Sequence, residues 1–109
     1  MKARTKSLGI TIAVKEEVAE RDSFDGYPCC LVCGRPAPTS NRLAFSNAHY
    51  ISRSQGGLGI ERNILTLCPQ CHARYDSTED RPILRAFFKQ YLQEQYPDWD
   101  EEQLTYRKD

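Results

Sequence analysis

Four of the chain's five cysteines fall in two Cys-x2-Cys pairs, Cys30/Cys33 and Cys68/Cys71, with 34 residues between them. Thiolates two residues apart on a tight knuckle can face one ion, and two knuckles supply the four soft ligands of a tetrahedral structural zinc site. Gly34 and Pro69 stand at the turns. Gly34 brings the backbone freedom needed to swing the second thiolate inward. An odd cysteine count, with Cys29 directly before Cys30, suits metal better than a disulfide framework. Disulfides also need an oxidising compartment, and the start of the chain does not read as a secretory signal, because Gly9 and Thr11 interrupt its apolar stretch. A redox Cys-x2-Cys belongs in a thioredoxin-like βαβ context, which the sequence lacks, and an iron–sulfur cluster is the remaining alternative. Structural zinc is the assignment. Cys29 could stand in for Cys30 through a three-residue spacing and is read as a free or buried thiol.

At 109 residues the chain can bury only a thin core, so such a staple matters. No apolar run approaches the roughly 18 residues of a membrane span, which excludes a membrane protein. Fifteen Lys and Arg balance fifteen Asp and Glu, yet the balance is uneven along the chain. Residues 1–41 carry +1, residues 42–75 carry +3 and residues 76–109 carry −4. The middle third is the part that could face a polyanion. A cytoplasmic, intracellular setting is expected.

Residues 1–10 read as a flexible basic arm, and residues 11–109 as one domain, with a zinc-framed core over 27–78 and a helical extension over 80–109. Ile12, Val14 and Val18 among charged residues predict a short helix from Thr11, its N-cap, to Arg21. Asp25-Gly26 and Tyr27-Pro28 mark a turn. Leu43–Ile51 and Ile64–Leu67 read as β-like, separated by a loop containing Gly56, Gly57 and Gly59. Cys71–Ser77 begins a helical stretch. A longer helix follows, with Asp80 as cap and Pro82 in its first turn. Its apolar stripe, Ile83, Leu84, Phe87, Phe88, Tyr91 and Leu92, is read as core until Pro97 stops it. Trp99, Leu104 and Tyr106 close the chain as a packed tail.

Both histidines of the chain, His49 and His72, lie in the zinc-framed region. The strings Ala48-His49-Tyr50-Ile51-Ser52-Arg53 and Asn63-Ile64-Leu65-Thr66-Leu67-Cys68-Pro69-Gln70-Cys71-His72 together resemble the HNH nuclease signature. Its three letters fall on His49, Asn63 and His72. The resemblance covers residues 12–78, including the helix end at Val18–Asp22 and the Cys30–Gly34 knuckle. The tail from Tyr91 to Trp99 is similar, more weakly, to that of small phage-type HNH proteins.

The resemblance implies an α+β protein with a ββα-metal, treble-clef-like core, stapled by a four-cysteine zinc site and flanked by an N-terminal helix and C-terminal helices. It implies a metal-dependent endonuclease acting on DNA, with phage packaging or mobile-element proteins as further partners and no membrane. A neutral imidazole, with a reference pKa of about 6.5, can take a proton from water, and His49 is the candidate base. His72 is the candidate ligand of a catalytic divalent cation, Mg²⁺, Mn²⁺ or Ni²⁺, with Asp76 one helical turn along on the same face. Asn63 is expected to hold the loop and fix the His49 ring. Arg53, Arg62 and Arg74 are candidate phosphate contacts. One departure stands out: the position before the base, usually an acidic residue or histidine that ligates the catalytic metal, is Ala48. The alternative from another class is a zinc-stapled DNA-binding module without catalysis. A third reading, an interaction protein displaying the Ile83–Leu92 helix, has no feature of its own.

Overall fold

The computed structural model describes residues 9–38, 41 and 43–106; all but the last two residues of the expected basic arm lie outside them. Helix α1, Ile12–Arg21, starts where expected, with the Thr11 hydroxyl accepting the Val14 N–H at 3.2 Å. Strands β1, Ser23–Phe24, and β2, Tyr27–Pro28, pair antiparallel across a two-residue turn. Asp25 and Gly26 both take positive φ, 56° and 89°, which the right-handed twist of a tight hairpin favours. The knuckle follows. Gly34 closes it at φ 78° and donates its N–H to Cys30 O at 2.9 Å.

Strand β3 spans Ser46–His49 and pairs antiparallel with β4, Ile64–Leu67, in the register Ser46↔Leu67 to His49↔Ile64. The expected strand from Leu43 to Ile51 is therefore shorter at both ends. Beyond His49 the chain turns to wrap Asn63, and Gly57 presses so closely on the Ile51 carbonyl that a Cβ there would overlap it. Helix α2, Pro69–Ser77, leaves β4 through Cys68, and α3, Arg81–Gln95, packs against α2. No helix among the described residues is long and apolar enough to cross a membrane.

The core lies between the β3–β4 hairpin and the two C-terminal helices, where Ala48, Leu65, Leu67, Tyr75, Phe88 and Leu92 are all buried. Tyr75 meets Phe88 edge-on at 5.0 Å, and its hydroxyl donates to Tyr50 O at 2.7 Å. The tail closes the far side through Trp99 and Leu104, with the Trp99 indole donating to Arg62 O at 2.9 Å. Two expectations need correcting on α3. Leu84, Phe88 and Leu92 are buried, but Ile83 and Phe87 remain 73% and 48% exposed, because each lies about 100° around the helix from that buried row. Asp80 occupies the N-cap position without a side-chain cap bond; its carboxylate pairs with Arg74 at 3.1 Å instead.

A buried ion pair joins α1 to the rest. Asp22 accepts from Arg21 through both oxygens, from the Thr66 N–H at 3.1 Å and from the Tyr91 hydroxyl at 2.6 Å. The side chains of Arg21 and Asp22 are 8% and 0% exposed. Burial, then the adjacent carboxylate, raises the Tyr91 pKa and keeps it a donor. Asp22→Ala strands the guanidinium in the interior and is expected to cost about 3–5 kcal/mol in urea unfolding. A loss below about 1 kcal/mol would show that the pair is not the tie described.

Candidate active site

Cys30 and Cys33 come from the knuckle, Cys68 from the N-cap of α2 and Cys71 from its first turn. Their four sulfur atoms lie within 4.8 Å of one another, with Cys33 Sγ and Cys68 Sγ 3.7 Å apart. A tetrahedron with metal–sulfur bonds of about 2.3 Å has edges of about 3.8 Å. The donor set and its spacing fit zinc, and the four cysteines could hold such an ion. Cys29 is not in the cluster; its thiol donates to Tyr27 O at 3.3 Å.

The protonation pattern follows from crowding. Burial raises the Cys30 pKa, but the backbone N–H groups of Cys33, Cys68 and Val32 outweigh it and bring it down to about 7. Cys71 is pushed up to about 12 by burial and by the sulfurs beside it. One thiolate is prepared by the knuckle amides, and further charging of the cluster calls for a cation. The knuckle is also tied to the hairpin directly, Leu31 N–H donating to Thr66 O at 3.0 Å.

On the opposite face of β3 from Ala48, the described residues open a cleft of about 380 Å³ lined by Ile10, Asn47, His49, Ser52, Arg53, His72 and Asp76. His49 reaches it from the end of β3 and His72 from α2, so the two imidazoles share one solvent-open space. His72 Nε2 lies 3.0 Å from Asp76 Oδ2, one helical turn on, and Asp76 Oδ1 lies 3.8 Å from Arg81. That separation matches the about 3 Å edge of an octahedral shell with 2.0–2.1 Å bonds, so the pair could serve one hard cation. Among the described residues, the four cysteines alone form a ligand group of three or more.

Asn63 is fully buried. Its amide donates to Ile51 O at 3.1 Å and Leu58 O at 2.9 Å, and accepts from Ile51 N–H at 2.8 Å. Its own carbonyl accepts Tyr50 N–H at 2.7 Å. These bonds fasten the backbone immediately after His49. Arg53 is exposed and lines the cleft. Arg62 pairs with Asp98 at 2.9 Å over the Tyr96 ring, and Arg74 with Asp80, so neither lines it. Asn47 and Ser52 were not singled out from sequence. Asn47 was within reach, since alternation along a strand puts it on the same face as His49.

The family model described as HNH endonuclease matches residues 30–78. The chain is also similar to Anaredoxin of Nostoc sp. (strain PCC 7120), 33% identical over 58 residues, which is 53% of this chain and 70% of that protein. The chain belongs to the HNH endonuclease family. The HNH match runs from the first knuckle to the C-terminal residues of α2 and just past them, so it contains both sulfur pairs, the β3–β4 hairpin and both histidines. Helices α1 and α3 lie outside it.

Because binding energy at the sulfur cluster is folding energy, a chelator strong enough to remove zinc is expected to abolish cooperative melting, with recovery on adding Zn²⁺. A preserved transition in protein shown by elemental analysis to hold no metal would count against the clamp.

Proposed function

We propose that this HNH protein is a metal-dependent endonuclease that hydrolyses DNA phosphodiester bonds. The observation that carries the reading is the single cleft lined by His49, His72, Asp76 and Arg53. Its partner is DNA, and its working unit is residues 11–109, the four cysteines holding structural zinc.

Phosphodiester hydrolysis needs an activated water, charge stabilisation at the phosphate and help for the departing oxygen. His49 takes the proton from water as general base. Asn63 fixes the backbone behind it through bonds to residues 50, 51 and 58. His72 and Asp76 hold a divalent cation, which when bound supplies Lewis-acid stabilisation of the phosphate and the leaving oxygen. Arg53, free of any ion-pair partner among the described residues, offers its guanidinium to a phosphate in the cleft. Arg62 and Arg74 act further out, exchanging their carboxylate partners for phosphates as DNA approaches.

Ala48 favours a second reading, a zinc-stapled module that binds DNA without cutting it. Its methyl is wholly buried and carries no ligand atom.

A supercoiled-plasmid nicking assay with Mg²⁺, Mn²⁺ and Ni²⁺ separates the two. Wild type is expected to nick, and His49→Ala to lose at least about 10²-fold while keeping wild-type zinc content. His72→Ala is expected to raise the cation concentration needed. His49→Ala cutting at the wild-type rate removes the base assignment; DNA binding with no cleavage under any of the three ions establishes the second reading.

A further inference from the structure

The Arg21 guanidinium has five N–H donors, and each has a partner. Nε and Nη2 hold the two Asp22 oxygens at 2.7 and 2.9 Å. Nη1 reaches Glu61 O at 2.8 Å and the Tyr96 hydroxyl at 3.3 Å, and Nη2 reaches Ile64 O at 2.7 Å. The two carbonyls bracket Asn63. Asn63 in turn binds the backbone of residues 50 and 51, directly after His49. Part-buried hydrogen bonds from Arg21 and buried ones from Asn63, joined through the backbone of residues 61–64, therefore link α1, outside the matched HNH residues, to the strand end beside the cleft.

We propose that Arg21 is a positioning residue for His49. Its planar fork fixes the chain at residues 61 and 64, which sets Asn63, which sets the strand end that presents the imidazole. The inference rests on the nuclease reading of His49. A lysine keeps the charge beside Asp22, but a single ammonium cannot hold the carboxylate and span both carbonyls. Displacement of a catalytic group by about 1 Å can lower a rate by about 10²-fold without touching substrate binding.

Arg21→Lys is expected to lower the plasmid-nicking rate at saturating DNA by about tenfold or more, leaving KM within about twofold and zinc content unchanged. The chain has two histidines, so imidazole NMR reads them separately: the His49 resonances are expected to move and those of His72 to stay. Tyr96→Phe removes only the hydroxyl partner and is expected to leave both readouts at wild type. An unchanged rate in Arg21→Lys, or equal movement of both histidines, overturns the proposal. Should Arg21→Lys lose zinc or its melting transition, Tyr91→Phe, which removes one hydrogen bond to the Asp22 carboxylate and leaves the ion pair and every guanidinium donor in place, is judged by the same split. Wild-type protein that nicks under no cation defeats the nuclease reading instead, and selective movement of the His49 resonances then decides the positioning role alone.

Discussion

Everything in the cleft depends on one constraint: two sulfur pairs from distant parts of the chain converge on one point. Cys68 and Cys71 belong to the start of α2, so fixing them fixes the helix that carries His72 and Asp76. Cys30 and Cys33 belong to a knuckle hydrogen-bonded to β4, whose partner strand ends at His49. The hairpin and the helix thus meet at a set angle. A chain of this length has little apolar area with which to fix that angle by packing alone. An ion held by the four cysteines would substitute geometry for area, with the core of Tyr75, Phe88 and Leu92 behind it.

The second tie is electrostatic and works differently. Arg21 and Asp22 are nearly dry, and such a pair is costly to desolvate unless its hydrogen bonds are complete. Here they are close to complete. The pair meets β4 at Thr66, α3 at Tyr91 and the turn before β4 at Glu61, which one aliphatic contact could not do. The sulfur clamp orients α2 against the hairpin from one side, and this pair orients α1 and α3 against it from the other.

Local signals made much of this legible. The paired cysteines announced the clamp, Thr11 the start of α1, Asp25-Gly26 the first turn, and the strand–helix order around His49, Asn63 and His72 the shared cleft. What stayed hidden depended on contacts between distant residues. A three-four stripe says which helix face is apolar but not how wide a neighbour covers it, so Ile83 and Phe87 read as core and are exposed. Asp80 has the composition of a cap, yet Arg74 competes for its carboxylate. Arg62 reads as a free cation until Asp98 arrives from 36 residues on. Arg21 and Asp22 look like the polar end of a surface helix, and nothing local reveals that both are buried.

Ala48 becomes intelligible in the same terms. Along β3, residues 47 and 49 face the cleft, while residue 48 faces the core beside Leu65 and Leu67. A carboxylate there would sit in apolar surroundings and would need a cation to offset its desolvation. Alanine avoids that penalty, and on this face it packs in the core beside Leu65 and Leu67. Both of the proposed cation ligands, His72 and Asp76, come from α2, and neither comes from the hairpin. Where a cation held by that pair would sit relative to His49 would then be set by the angle between hairpin and helix. That angle is the one the four sulfurs hold.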